Sequence, residues 1–221
     1  MSEEVDVDVD VDVGRRTRDE EPPTYRCSMD DLAVALEAAR TGAAIVRAAF
    51  GEVQSVEFKG VVDPVTEIDH QSEAAILDLL AAHRPDDSIL AEEGGGSRDL
   101  AGRHWIVDPL DGTVNFLHGI PQVSVAVALY EDGRPLVGVV VDPIREEEFV
   151  ASTGKGTTLN GEPVEVSGRS LGEGVLATGF PYDRRDQGAK YASIVGAVLE
   201  HARGVRRFGS AALDLAWVAC G

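Results

Sequence analysis

The residues best suited to chemistry in this sequence are acidic side chains grouped at three points, each beside an apolar run or a turn. The groups are Asp63 with Asp69 in DPVTEID, Glu92 with Glu93 in AEEGG, and Asp108 with Asp111 in DPLDGT. Carboxylate oxygens are the ligands that Mg²⁺ takes in proteins, and the ion usually keeps some positions for water and substrate phosphate. The pattern is therefore typical of a site for a hard cation such as Mg²⁺.

The segment DPLDGT combines its two aspartates with residues that bend the chain. Pro109 fixes its own φ and Gly112 permits close backbone approach, so the oxygens of the segment can turn towards one pair of ions. These oxygens belong to Asp108, the Leu110 carbonyl and Asp111. Thr113 is then predicted to cap a helix opening into VNFLHG, whose first amides would face a phosphate. On this segment alone, a plain turn capped by the two aspartates is an equal alternative.

The carboxylates need elements that bring them together, and two apolar runs end directly before them. Residues 88–91 precede Glu92, and residues 105–107 precede Asp108. Both runs have the length and composition of strands, so the two carboxylates are predicted to emerge at the same edge of a sheet. Functional residues are often found at such element ends.

Helices are predicted on both sides of this region. Apolar residues recur at helical spacing from Leu32 towards Phe50, and a second helix is predicted over 69–83, with Pro85 marking its end. Two more helices are predicted over 189–201 and 211–218. The chain between these two groups of helices must therefore supply the sheet.

Strands dominate the predictions for the middle of the sequence. Besides the two runs above, they cover 123–130, 136–141, 149–151, 163–167 and 174–178. The turn EDGRP, with Gly133, predicts a hairpin between the first two of these. Helices, then mostly antiparallel strands, then helices predict a layered α+β sandwich.

Charge limits the classes of partner. The 221 residues include 39 acidic and 20 basic side chains, a net charge of −19, which repels nucleic acid and anionic membranes. No apolar run approaches the ~18 residues that cross a bilayer, and the acidic start lacks the features of a secretion signal. A cytoplasmic protein is predicted. The acid-rich, lysine-poor composition also favours a halophilic source.

The first residues differ from the rest of the chain. The stretch VDVDVDVDV alternates at the period of a strand, yet it would line one face with like charges, and Asp is a poor strand former. Residues 1–26 are therefore predicted to be a disordered acidic tail. Residues 27–221 are predicted to form the folded domain.

Several motifs in their order resemble the inositol monophosphatase family of magnesium-dependent sugar phosphatases. DPLDGTVNF stands where the family has its central signature, and it is preceded by AEEGG and by DPVTEID, as in the family. Further along, GKGTTLNG resembles the family's glycine-rich hairpin, and GSAALDLAWVACG resembles its substrate-facing loop and helix. The resemblance runs from about Asp30 to the last residue.

The resemblance implies a layered αβαβα sandwich, a homodimer and roles for particular residues. The implied Mg²⁺ ligands are Glu92, Asp108, the Leu110 carbonyl and Asp111. Thr113, oriented by Asp69, would hold the attacking water, with Glu92 also in the catalytic group. The amides of Gly112 and Thr113 would meet the phosphate, while the alcohol half of the substrate would lie against Gly209, Ser210 and Ala211. Two divalent cations make a covalent nucleophile unnecessary.

The family pattern continues past Gly221 with a further aspartate ligand, and Asp214 does not align with it. A C-terminally truncated member is therefore expected. Three hypotheses follow. The first is a magnesium phosphatase acting on a small sugar phosphate or inositol phosphate. The second changes the substrate to fructose 1,6-bisphosphate or a nucleotide 3′-phosphate. The third is an inactive remnant that acts only as a dimerising partner.

Overall fold

The computed structural model describes residues 29–52, 56–58, 64–91 and 101–221. Within these ranges the helices are Met29–Ala49 (α1), Glu67–His83 (α2), Thr113–Leu117 (α3), Gly188–Leu199 (α4) and Ala211–Ala219 (α5). The strands are Val56–Phe58 (β1), Pro64–Thr66 (β2), Ser88–Ala91 (β3), Arg103–Asp111 (β4), Ser124–Glu131 (β5), Arg134–Asp142 (β6), Glu147–Ser152 (β7), Gly156–Leu159 (β8), Glu162–Val164 (β9), Val175–Ala177 (β10) and Gly204–Arg206 (β11). The predicted acidic tail, residues 1–26, lies outside the described residues.

The two predicted N-terminal helices are confirmed. α2 begins at Glu67, two residues earlier than predicted, because the Thr66 side chain accepts hydrogen bonds from the amides of Ile68 and Asp69. Asp69 in turn accepts from the Thr66 amide, which completes a capping box. α2 ends at His83, ahead of Pro85, as predicted.

The main sheet has seven strands in the order β3 to β9. β3 and β4 are parallel, and every later neighbour pair is antiparallel, including the predicted hairpin of β5 and β6. The prediction that the strand of residues 105–107 ends before Asp108 is wrong. β4 continues to Asp111, because its partner β5 is long enough to pair with the aspartate segment.

Helices cover both faces of this sheet. On one face, α1 packs over alternate residues of β5 and β6, such as Val125 and Val139, and α2 packs over β4. On the other face, Leu213 and Ala216 of α5 pack against Phe149, with Val140 beside them. Val139 and Val140 are neighbours in β6 and point to opposite faces, as the pleat of a strand requires.

Two smaller sheets have two strands each: β1 pairs with β2, and the other sheet lies in the C-terminal third of the chain. β10 and β11 pair in parallel, and α4 packs against β11. The strand predicted over 163–167 is only partly right, since β9 covers Glu162–Val164. Helix, sheet, helix, small sheet and helix together make the layered α+β sandwich that the sequence predicts. In the part of the chain that is described, no helix is long and apolar enough to span a membrane.

Candidate active site

The site is built on a bulge in β4. Asp108 pairs with Ala126 of β5, and pairing resumes between Asp111 and Ser124, so one extra residue is inserted on the β4 side. Ala126 and Ser124 are two residues apart and share one face of the sheet. Their partners in β4, Asp108 and Asp111, therefore share that face as well. Without the bulge, a spacing of three residues would have placed the two aspartates on opposite faces.

Local hydrogen bonds hold the bulge in shape. The Leu110 amide donates to Oδ1 of Asp108 at 3.2 Å, which closes a tight turn around Pro109. The hydroxyl of Ser72, buried in α2, donates to the Pro109 carbonyl at 2.8 Å. A carbonyl that the bulge releases from the strand ladder is thereby satisfied by a neighbouring helix.

The N-terminus of α2 reaches the bulge through Asp69, which is only 3% exposed. Oδ1 of Asp69 lies 3.1 Å from the Thr113 hydroxyl, and that hydroxyl lies 3.1 Å from the Leu110 carbonyl. Since a threonine hydroxyl has one proton and two lone pairs, donation to either oxygen leaves it able to accept from a water. The arrangement can therefore hold a water beside the bulge.

Thr113 does not cap α3, so that part of the prediction is wrong. Gly112 is the N-cap residue, with no side chain to make a capping bond, and Thr113 is the first helical residue. Its hydroxyl faces Asp69 and Leu110 instead. The first amides of α3 have no carbonyl partner within the helix, as at any helix start.

The N-terminus of α5 holds one oxygen of Asp111. The Ser210 hydroxyl and the Ala212 amide each donate to Oδ2 at 2.7 Å, and the Ser124 hydroxyl lies 3.5 Å away. Within the described part of the chain, these hydrogen bonds all reach Oδ2 and none reaches Oδ1. One oxygen of Asp111 is thus fixed by hydrogen bonds from the protein.

Two glycines allow the loops of the site to cross closely. Gly112 has a φ of 98°, and a Cβ there would stand 2.8 Å from the Gln122 carbonyl oxygen. Gly209 has a φ of 97°, and a Cβ there would stand 2.8 Å from the Asn115 side-chain nitrogen. At both positions a side chain is disfavoured for two reasons: the backbone is left-handed, and a neighbouring atom lies too close to a Cβ.

Asn115 links these two loops, although no role is predicted for it from the sequence. Its side-chain nitrogen donates to the carbonyls of Gln122 and Phe208, both at 2.8 Å. Ser72 and Ser124 were missed in the same way. The available signal for Asn115 was its place inside DPLDGTVNF, whereas nothing near Ser72 or Ser124 in the sequence marks them.

Asp214 lies on α5 near the site. Burial raises the pKa of its carboxyl, the nearby Asp111 carboxylate raises it further, and Arg207 partly opposes them. Its Oδ1 is buried and has no hydrogen-bond partner among the described residues. A negative charge is therefore costly there.

Most of the predicted site residues come together. Asp69, Asp108, Leu110, Asp111, Gly112 and Thr113 meet at the bulge, and Gly209, Ser210 and Ala211 form the adjoining wall. Ser210 is fully buried, so its hydroxyl serves Asp111, while Ala211 is exposed. Glu92, Glu93 and Asp63 lie outside the described residues.

The donors of the bulge suit a hard cation in kind, since they are carboxylate and carbonyl oxygens. The predicted ligand set has Asp108, Asp111 and the Leu110 carbonyl in the described residues. Among all the residues that the structure describes, no three or more His, Cys, Asp or Glu side chains form a cluster that could hold a metal. Ala91, the last described residue of β3, pairs with Val107, next to Asp108, and Glu92 is the following residue in the chain.

Comparison with known proteins decides the family. The model of the inositol monophosphatase family matches residues 29–221. The chain belongs to the inositol monophosphatase family. Family membership classes it as a phosphatase, a hydrolase of phosphate esters. The match also confirms the resemblance drawn from the motifs.

Curated relatives of this inositol monophosphatase family member share about two fifths of its residues. It is 44% identical over 195 residues to an inositol-1-monophosphatase of Synechocystis, covering 86% of this chain and 67% of the relative. It is 42% identical over 198 residues to the Nus factor SuhB of Pseudomonas aeruginosa, covering 86% and 73%.

Solved structures in the same family have the same fold. The IMPase of Thermotoga maritima superposes with a TM-score of 0.79 at 37% identity, covering 87% of this chain and 74% of that one. The inositol monophosphatase of Anabaena gives a TM-score of 0.76 at 40% identity, covering 86% and 71%. The sugar phosphatase sandwich is therefore the fold of this chain.

Proposed function

We propose that this chain is a magnesium-dependent phosphatase that hydrolyses a small phosphate monoester such as inositol 1-phosphate. The observation that carries the proposal is the β4 bulge, which puts Asp108 and Asp111 on one face of the sheet. The hydroxyl of Thr113, 3.1 Å from Asp69, adds a water-holding group to the same bulge. Membership of the inositol monophosphatase family supports the reaction type.

Mg²⁺ would be held by Glu92, Asp108, the Leu110 carbonyl and Asp111. When bound, two divalent cations lower the pKa of a coordinated water and stabilise the oxygen that leaves. The protein's part is to fix the ligand oxygens. The bonds from Ser210 and Ala212 to Oδ2 of Asp111 support this role, because they direct Oδ1 away from the protein donors.

The remaining residues would bind and orient. Thr113 would accept a hydrogen bond from the attacking water while donating to Asp69, with Glu92 on the other side of the water. The amides of Gly112 and Thr113 would receive the phosphate oxygens. Gly209, Ser210 and Ala211 would line the alcohol half, with Ser210 contributing its backbone because its side chain is already used by Asp111.

The proposal extends to the whole molecule. Residues 27–221 would act as one folded domain, with residues 1–26 as a disordered acidic tail. The enzyme would work in the cytoplasm as a homodimer, in a halophilic organism. The net charge of −19 supports the halophilic part, because strong self-repulsion is screened in concentrated salt.

A second candidate is a protein partner without turnover. Exposed apolar side chains favour it, since Ile194 and Leu199 on α4 and Leu215 and Val218 on α5 are each more than half exposed. Some relatives are named as a Nus factor, and not as an enzyme. Such a partner would keep the fold and need no intact metal site.

A phosphate-release assay separates these candidates. The purified chain is incubated with inositol 1-phosphate over a range of Mg²⁺ concentrations, beside an Asp111→Asn variant that keeps the shape of the side chain. Release by the parent and none by the variant is expected. The absence of release at every Mg²⁺ concentration would overturn the phosphatase proposal. Comparing rates on fructose 1,6-bisphosphate and on a nucleotide 3′-phosphate tests the choice of substrate.

A further inference from the structure

Arg145, in the turn between β6 and β7, contacts two parts of the chain that border the candidate site. These parts, called its two walls below, are the segment that leads into β5 and the helix α5. Its Nη1 donates to Oδ2 of Asp142 at 2.6 Å, and its Nη2 donates to the Gln122 side-chain oxygen at 2.9 Å. Its guanidinium also lies over the Trp217 ring, 5.2 Å from the centroid. Asp142 is fully buried and also accepts a hydrogen bond from the Arg145 amide, so both the backbone and the side chain of Arg145 are held in place.

The first wall is the start of β5, which Arg145 reaches through Gln122. The backbone carbonyl of Gln122 is the atom that a Cβ on Gly112 would meet at 2.8 Å. The same carbonyl accepts from Asn115, which also binds the Phe208 carbonyl. A shift of Gln122 would therefore move the loop that carries Gly112.

The second wall is α5, which Arg145 reaches through Trp217. The Trp217 nitrogen donates to Glu147 at 3.1 Å, and its ring meets the Phe208 ring edge to face at 5.3 Å. Trp217 is thus held by the β6–β7 region on one side and by the loop before α5 on the other. The first turn of α5 supplies the two donors, Ser210 and Ala212, that fix Oδ2 of Asp111.

We propose that Arg145 is a positioning residue of the metal site. It sets the distance between β5 and α5, and thereby the orientation in which Asp111 presents its second oxygen. The inference rests on the proposed function, because it requires Asp111 to be a metal ligand. Arg145 touches neither substrate nor metal in this scheme and acts through Gln122 and Trp217.

The geometry requires arginine at this position. A planar guanidinium can donate from two nitrogens to Asp142 and Gln122 while its face lies on an aromatic ring. A lysine ammonium is a compact charge on a flexible stem and cannot make all three contacts together. Arg145→Lys should therefore keep the charge next to Asp142 and lose the link between the two walls.

The test measures metal binding directly. Titration calorimetry with Mn²⁺ and with Mg²⁺ is carried out on the parent chain, on Arg145→Lys and on Arg47→Lys. Arg47 pairs with Glu146 of the same turn, and this pair is exposed and contacts neither wall, so it is the matched control. Thermal unfolding without metal is recorded for all three proteins.

Arg145→Lys should bind metal about threefold to tenfold more weakly than the parent, a smaller effect than the ~10–100-fold loss typical of a direct outer-shell partner. The control should bind like the parent, and neither variant should unfold more than a few degrees lower. Parent-like binding by Arg145→Lys would overturn the inference, and so would equal losses in both variants.

Asp111→Asn, titrated in parallel, separates the inference from the function on which it rests. If the parent binds no metal, the proposed function fails. If the parent binds metal and Asp111→Asn does not, the function stands, and Arg145→Lys alone decides the inference.

A double variant tests the route of the effect. Gln122→Met removes the acceptor of Arg145 and keeps the length of the side chain. If Arg145 acts through Gln122, the loss of metal affinity in Arg145→Lys with Gln122→Met should be smaller than the sum of the two single losses. Strict additivity would exclude that route.

Discussion

At the scale of single residues, the site depends on two aspartates whose two carboxylate oxygens have different hydrogen-bond partners. Oδ2 of Asp69 belongs to the capping box of α2, and its Oδ1 faces Thr113. Oδ2 of Asp111 belongs to α5, and its Oδ1 has no donor among the described residues. In each case donors at the start of a helix fix one oxygen of the carboxylate. Fixed carboxylates lose little entropy when they bind a ligand, which favours function at this site.

Replacing Ser210 tests the anchoring of Asp111. Ser210→Ala removes one of the two close donors to Oδ2, so metal affinity should fall by roughly tenfold or more, as for other outer-shell partners. Because Ser210 is also the N-cap of α5, the free energy of unfolding should fall by about 1 kcal/mol. Calorimetric titration with Mg²⁺ and urea unfolding measure the two effects. Ser193→Ala, an exposed serine on α4, is the control, and equal metal affinity in both variants would contradict the anchoring role.

Replacing Thr113 tests the water-holding hydroxyl. Thr113→Ala should lower kcat by more than it raises KM, because the hydroxyl acts on the attacking water and not on bound substrate. Steady-state kinetics on inositol 1-phosphate measure both constants. Thr113→Ser keeps the hydroxyl and should retain most of the activity. A change in KM alone would contradict the assigned role.

The raised pKa of Asp214 gives a pH dependence with a definite sign. A carboxyl whose pKa is higher in the folded state binds its proton more tightly there, so stability falls as pH rises from the unfolded pKa through the folded one. Asp214→Asn removes this loss. The variant should be more stable than the parent near neutral pH, and the difference should vanish below the ordinary range of an aspartate. Urea unfolding with a chelator present measures it, and a constant difference at every pH would contradict it.

At the scale of elements, the bulge in β4 and the two glycine crossings define the site. The bulge sets which face the aspartates share, and Gly112 lets α3 start directly after it. α2 and α5 then approach from opposite faces of the sheet: α2 contacts Pro109 and Thr113, and α5 contacts Asp111 between them. The site is thus assembled from one irregular strand and the first turns of two helices.

A pair of glycine variants separates backbone strain from close approach. Gly112→Ala adds a Cβ 2.8 Å from the Gln122 carbonyl at a φ of 98°, whereas Gly102→Ala adds one with nothing within 4 Å at a φ of 77°. Gly102→Ala should lose only the strain of a left-handed residue, about 1–2 kcal/mol. Gly112→Ala should lose clearly more in the free energy of unfolding, measured in urea. Equal losses would show that the close approach costs nothing.

At the scale of the whole molecule, the acidic composition predicts how stability depends on salt. A net charge of −19 repels itself in the compact state. The Debye length falls from about 10 Å at 0.1 M salt to about 3 Å at 1 M, so added KCl should screen this repulsion. The melting temperature should therefore rise between these concentrations. A melting temperature that falls, or does not change, would count against a protein adapted to high salt.

Much of the architecture followed from patterns in the sequence. Helical spacing located α1 and α2, and the short apolar runs located β3, β5 and β6 to within a few residues. The predicted strand end before Asp108 is wrong, because Pro109 and the aspartates are turn signals, whereas pairing with β5 carries β4 through them. The predicted cap at Thr113 is also wrong. A threonine before a helix is a typical cap, but the N-cap position of α3 is held by Gly112, where the close approach to the Gln122 carbonyl requires glycine.

The sequence by itself determined the family and the order of its motifs, because these depend on residue types and on their spacing along the chain. Only the tertiary structure showed that the two aspartates share a face, that Ser210 serves Asp111, and that Arg145 joins β5 to α5. Those facts depend on strand register and on contacts between residues up to 101 positions apart. Such contacts cannot be predicted from local sequence, since they form only when distant elements pack together.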